Sequence, residues 1–133
     1  WGSNDDGQVG NDSSMDQLTP VSLGSGWLAM EHGNEHSCAI RTDRTLWCWG
    51  DNFRDQLGLG VPTGDRATPA QVGSDGDWIQ VSAGESSTCG LRSGGTMWCW
   101  GGFAYGDSPE AVGVGQLWLE VSVGSDHQIA RAY

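Results

Sequence analysis

The chain has 133 residues and a formal net charge of −11, with 17 acidic side chains against six Arg and no Lys. Such acidity disfavours direct contact with nucleic-acid phosphates, and the lack of Lys excludes Schiff-base catalysis. Because no run of about 18 apolar residues is present, we expect no membrane-spanning segment.

The composition favours β-structure. There are 22 Gly and 8 Trp but only 2 Phe and 2 Tyr. Gly at this level without a Gly-x-y period, mixed with Trp, Val and Leu, is typical of short strands joined by tight turns. No long helix is predicted.

The first predicted element is the end of a repeat. Trp1–Gly10 matches the Trp, Gly, Asn and Gln positions of Trp49–Gly58, and Thr19-Pro20 matches Thr68-Pro69. The chain starts at Trp1 and not at an initiator Met, so we expect a mature or excised fragment with any targeting segment upstream.

The first full repeat predicts three strands, because apolar residues alternate along it with a period of two. The strands are expected near Trp27–Met30, Ser37–Arg41 and Thr45–Trp49. Thr42–Arg44 and the matching Ser93–Gly95 are expected to form three-residue hairpin loops. Gly95 suits the left-handed residue of such a loop, so Arg44 in the same position predicts a small strain cost.

Two more units follow. Trp27, Cys38 and Trp49 recur 51 positions later. A third unit begins at Trp118, 40 positions after Trp78, and the shortening falls in the connection after Trp100. We expect approximate units 1–26, 27–77, 78–117 and 118–133, the first being the end of a preceding repeat and the last truncated.

The repeated motif carries a family resemblance. It reads Trp-Gly-x-Asn-x-x-x-Gln-Leu-Gly at 49–58, Thr-Pro-x-x-Val at 68–72 and Trp-x-x-Val-x-x-Gly at 78–84. With Trp-Cys-Trp-Gly at 47–50 and 98–101, it resembles the RCC1 (regulator of chromosome condensation) repeat over essentially the whole chain. The resemblance implies an all-β fold, a β-propeller of RCC1-like repeats of about 51 residues, with four-stranded blades and two to three blades in this chain.

Such propellers often have about seven blades, and two and a half repeats cannot close a ring. Closure therefore needs the rest of a longer chain, which we favour, or self-assembly. The third unit departs most from the motif. It has Ile129 where the other units have Cys, and before it, in the unit 78–117, Tyr105-Gly106 replaces Gln-Leu-Gly.

The four cysteines form two evenly spaced pairs, Cys38 with Cys48 and Cys89 with Cys99. Counting outward from a three-residue hairpin loop places each pair directly opposite, with Cβ atoms roughly 4.5–5.5 Å apart and close to disulfide reach. Disulfides would favour a secreted, extracellular or periplasmic location, with the cytoplasm left open. Reduced, buried cysteines are the alternative, and a zinc site fits the spacing poorly.

No residue set predicts catalysis. A Ser-His-Asp or Cys-His site needs one unique constellation, whereas His36 and His127 occupy nearly equivalent repeat positions and predict structural hydrogen bonds between blades. The Asn4–Gly7 and Asp51-Asn52 segments lack the alternating acids and final Glu of a calcium loop. We expect no enzyme activity, cofactor or metal.

Two Trp residues and three loops are the binding candidates. Trp47 and Trp98 alternate with the cysteines and point to the opposite face, where they pack between blades or face a ligand. Loops Asn4–Leu18, Asn52–Thr68 and Gly102–Ser108 are expected to line one rim. The candidate contact residues there are Asp5, Asp6, Asp51, Asn52, Asp55 and Asp65.

These features predict a non-catalytic scaffold that binds a protein, one of basic character, through its loops. The resemblance implies one alternative, guanine nucleotide exchange on a small GTPase, although no exchange residue can be matched. A multivalent glycan-binding propeller that uses Trp faces is the other alternative.

Overall fold

The computed structural model describes residues 1–61 and 63–133, and over these ranges the chain forms ten strands and no helix. The strands are β1 Trp27–His32, β2 His36–Arg41, β3 Leu46–Gly50, β4 Arg66–Gln71, β5 Trp78–Ala83, β6 Ser87–Arg92, β7 Met97–Gly101, β8 Glu110–Val112, β9 Trp118–Val123 and β10 Gln128–Ala132. The predicted all-β class is confirmed. Among the described segments there is no helix that could cross a membrane.

The strands form three antiparallel sheets in chain order. Strands β1–β4 make blade 1, β5–β8 make blade 2, and β9 with β10 make the two-stranded blade 3. This is the predicted partial propeller. The three strands predicted in blade 1 begin and end within two residues of their expected positions.

The fourth strands were not located from the sequence. β4 overlaps the end of the predicted loop Asn52–Thr68, of which residue 62 lies outside the described residues. β4 is an edge strand of its blade, and an edge strand tolerates a residue such as Pro69. Its residues also lack a clear alternating pattern, so the sequence alone does not predict a strand here.

The central hairpins have the predicted register. Cys38 pairs with Cys48 across β2 and β3, and Cys89 pairs with Cys99 across β6 and β7. Arg44 has a φ of 67°, and its counterpart Gly95 has a φ of 77°. The left-handed backbone expected at Arg44 is therefore present, on a residue whose Cβ disfavours it.

Adjacent blades pack face to face around their first strands, β1, β5 and β9, which contact one another in turn. The cysteine face of blade 1 forms one core cluster with the Trp face of blade 2, where Trp78 and Trp100 are fully buried. The cysteine face of blade 2 packs in the same way on Val121 and Val123 of blade 3.

Glycine is required where the turns after β1, β5 and β9 stack on each other. A Cβ on Gly84 would lie 2.4 Å from the carbonyl oxygen of Gly124. A Cβ on Gly33 would lie 2.1 Å from the carbonyl oxygen of Gly84. Because both obstructing atoms are backbone, any side chain here would push the blades apart.

Candidate interaction rim

One end of the blades carries all the long loops. In an antiparallel sheet the connections alternate between ends, so the β1–β2 turns and the β3–β4 connections meet at the same end. We call this end the rim; it comprises 3–17, 33–35, 51–61, 63–65, 84–86, 102–109 and 124–127. The opposite end, with the tight turns at 42–45 and 93–96, we call the hairpin end.

The first two long rim loops are each built around a buried Asn. The backbone N–H of Asn52 donates to Asp65 Oδ1 at 2.9 Å, its Nδ2 donates to the Thr63 carbonyl at 2.7 Å, and its Oδ1 accepts from Leu57 N at 3.0 Å. Asn4 repeats these contacts in the first segment. Asn52 was predicted as a contact residue, and this is corrected by its burial: it is 5% exposed and holds the loop together.

In each of the first two long loops a Gln carbonyl joins the loop to the blade that follows it, an arrangement we call the Gln latch. The carbonyl of Gln56 accepts from Trp100 Nε1 at 2.9 Å and from Thr88 Oγ1 at 2.8 Å. The carbonyl of Gln8 accepts from Trp49 Nε1 and Ser37 Oγ at 2.9 Å each. Sequence reasoning missed this role, although the Gln recurs in the motif.

His36 extends the latch. Its Nε2 lies 2.8 Å from Thr88 Oγ1. Because the single hydroxyl hydrogen of Thr88 goes to Gln56, Thr88 must accept here, so His36 is protonated on Nε2. Burial lowers the pKa of His36 to about 4. The predicted inter-blade hydrogen bond is present at His36, whereas His127 is exposed.

Six carboxylates form what we call the acidic face of the rim. They are Asp5, Asp6, Glu35, Asp51, Asp65 and Glu85. Burial raises the pKa of Asp6, and the charges of three neighbouring Asp residues raise it further. Burial also raises the pKa of Glu35, with Asp6, Asp51 and Glu85 adding to the rise. The two Glu residues were missed because each lies alone in a short turn.

The predicted Asp residues differ in availability. Asp51 accepts from the backbone N–H of Phe53 at 2.8 Å and also accepts from Gln56 Nε2, while Asp65 accepts from Asn52, so both shape the loop. Asp55 has a φ of 59° and turns the chain. Asp5 is exposed and Asp6 is half-buried.

Trp47 and Trp98 lie in the third strands, away from the rim. Trp98 is half-buried and packs against the core cluster between blades 1 and 2. Its ring centroid is 5.3 Å from the Arg92 guanidinium, and the ring of Trp47 has the same relation to Arg41. Trp98 therefore packs between blades, which is one of the two roles expected for these Trp residues. A ligand-facing role for Trp47 stays a prediction.

The cysteine sulfurs of both predicted pairs are at bonding distance, and all four residues are at most 1% exposed. Among the described residues, no three His, Cys, Asp or Glu side chains are grouped to hold a metal ion.

A groove of about 270 Å³ crosses the rim between blades 2 and 3. Arg54, Glu85, Phe103, Tyr105, Asp126 and Gln128 are among its lining residues. The guanidinium of Arg54 lies 3.9 Å from the ring centroid of Phe103.

The chain is similar to known proteins that contain the same repeat. The family model described as Regulator of chromosome condensation (RCC1) repeat matches residues 32–56 and 78–107. The Ultraviolet-B receptor UVR8 of Arabidopsis thaliana is 32% identical over 112 residues, which are 80% of this chain and 25% of that protein. The mouse Regulator of chromosome condensation is 29% identical over 108 residues, 76% of this chain and 25% of that protein.

Solved structures show the same fold. Yeast RCC1 (Prp20), crystallised with Kap60, superposes with a TM-score of 0.85 at 19% identity, covering 99% of this chain and 37% of that one. The chain thus spans about a quarter of the length of these two curated relatives.

Proposed function

The chain belongs to the family of RCC1-like repeat β-propellers, and from this premise we propose that it is a non-catalytic scaffold that binds a basic protein through the rim. The acidic face is the observation that carries the proposal. Burial raises the pKa of Asp6 and of Glu35, and the charges of the neighbouring carboxylates raise both further. A bound Lys or Arg side chain would relieve that repulsion and would be attracted from a distance.

A protein partner also suits the fold. Yeast RCC1 (Prp20) was crystallised with Kap60, and the binding properties of Prp20p to Gsp1p and histones have been described. Nucleotide exchange would need residues that contact a GTPase, and we match none in this chain. Exchange is checked by measuring whether the chain accelerates GDP release.

The test is titration of poly-L-lysine by calorimetry at low and moderate salt. We expect binding that weakens with salt. We also expect a loss of roughly three- to tenfold in the Asp6→Asn/Glu35→Gln variant, which removes two charges of the acidic face and spares the loop-forming Asp51 and Asp65. The control is Asp43→Asn/Glu120→Gln, which removes two charges away from the rim. Equal affinity in both variants would refute an acidic binding face.

We also propose that further blades, of a longer chain or of another copy, cover the two outer faces of the array. Val81 is 2% exposed between blades, whereas Met30, in the equivalent position of blade 1, is 49% exposed. Ile129 is 65% exposed where Cys89 is buried. Light scattering distinguishes the two possible sources of these blades. A defined oligomer supports self-assembly, and a monomer or an aggregate supports a longer chain.

The buried cysteine pairs support an oxidising compartment, which we propose as the site of action. A secreted protein should be recovered from its source with both pairs oxidised. Recovery with four free thiols would overturn the proposed location.

A further inference from the structure

The groove between blades 2 and 3 arises from a short connection. Fifteen residues separate Gly50 from Arg66 in blade 1, whereas eight separate Gly101 from Glu110 in blade 2. In blade 1 the longer loop places Gln56 and Leu57, both buried, against blade 2. The Gln latch and the loop thus fill the gap between the first two blades.

Blade 2 has no Gln latch. Tyr105-Gly106 stands in place of Gln-Leu-Gly, and Gln128 of blade 3 occupies the position that Thr88 holds in blade 2. Thr88 is fully buried under the latch, but Gln128 is exposed in the groove. The opening is therefore specific to this interface and is not a general feature of the repeat.

The groove has the size and chemistry for one long cationic side chain. Its volume lies near the lower limit of about 300 Å³ for small-molecule pockets. Two exposed carboxylates, Glu85 and Asp126, outnumber the single guanidinium of Arg54. The backbone of Arg54 is fixed by two hydrogen bonds. Its N–H donates to Gln56 Oε1, and its carbonyl accepts from the N–H of Gly102.

An apolar wall lies beside the charges. The Phe103 side chain is 92% exposed, and Arg54 is stacked on its ring, while Tyr105 is half-buried against the core of blades 2 and 3. The methylene stem of a Lys or Arg can lie along such aromatic surface while its charged head reaches a carboxylate.

We propose that this groove receives a single Arg or Lys side chain of the partner, with Glu85 and Asp126 contacting its charged head. The proposal rests on the proposed function, because it names the site at which a basic partner is anchored.

The experiment titrates the blocked tripeptide acetyl-Gly-Arg-Gly-amide into the protein and follows amide and side-chain NMR signals. We expect saturable shifts confined to Gly102, Phe103, Gln128 and their neighbours. In Glu85→Gln/Asp126→Asn the affinity should fall roughly three- to tenfold, whereas Asp43→Asn/Glu120→Gln should leave it within twofold.

A charge-neutral variant separates the groove from the acidic face. Ser125→Trp adds a bulky side chain at the groove wall and should abolish tripeptide binding while poly-L-lysine still binds. Ser93→Trp, at an exposed position in the hairpin turn of blade 2 away from the rim, is the control and should bind both. Near-ultraviolet circular dichroism verifies the fold of each variant.

The outcomes are distinguishable. Tripeptide binding that survives Ser125→Trp, shifts spread over the rim without saturation, or a preference for acetyl-Gly-Glu-Gly-amide would each overturn the groove proposal. Failure of poly-L-lysine to bind would overturn the proposed function, whatever the tripeptide does.

Discussion

Acidification should destabilise the fold through His36. Burial holds the pKa of this ring at about 4 in the folded chain, against 6.5 in the unfolded chain. Between these values the unfolded state binds more protons, so stability falls as pH is lowered. The slope reaches about 1.4 kcal/mol per pH unit, and the loss approaches about 3 kcal/mol near pH 4.

The geometry explains why the ring stays neutral. Nε2–H donates to Thr88, and Nδ1 has no hydrogen-bond partner in the part of the chain that the structure describes. A second proton on Nδ1 would therefore bury a charge and an N–H without an acceptor, between two packed blades.

The assay is urea unfolding followed by Trp fluorescence at pH 7, 6, 5 and 4.5, for the parent chain and His36→Gln. Gln can donate to Thr88 but does not titrate. The carboxylates with raised pKa values, Asp6 and Glu35, are common to both proteins and cancel in the difference. Stability of the parent chain should fall relative to the variant below pH 6.5. Parallel curves down to pH 4.5 would refute the reasoning.

Three further outcomes follow from the buried contacts. Thr88→Val should cost about 1–3 kcal/mol, because it leaves the buried His36 N–H without its acceptor, and Thr88→Ser should restore most of the loss in urea unfolding. Gly84→Ala should lower thermal stability by about 1–3 kcal/mol, whereas Gly94→Ala, with no atom within 4 Å of the added Cβ, should not. Replacing Cys89 and Cys99 together by Ala should lower the free energy of unfolding by about 2–3 kcal/mol. In the native parent chain iodoacetamide should label no cysteine until reductant and denaturant are added. Labelling without them would contradict the pairing.

The predictions that held were local ones. The left-handed residue at Arg44 and the opposition of Cys38 to Cys48 depend on a three-residue loop and on counting outward from it, so neighbouring sequence suffices. β4 was missed because it is an edge strand whose pairing with β3 is made across a long loop, and its own residues carry little pattern.

The rim was only partly predictable. The Asp residues of the loops could be assigned to one end of the blades, but Asn52 was taken for a contact residue when it is the buried centre of its loop. Glu35 and Glu85 escaped notice because they approach the loop acids only when turns from different blades meet.

By itself, the sequence determined the repeat, the strand class, the hairpin register and the family, because each is written in spacings of a few residues or in one repeated offset. Only the tertiary structure decided which carbonyl the Trp and Thr side chains bond, which His is buried and where a shortened loop leaves a groove. These contacts join residues that lie more than 30 positions apart in the chain, and they form only when whole sheets pack face to face.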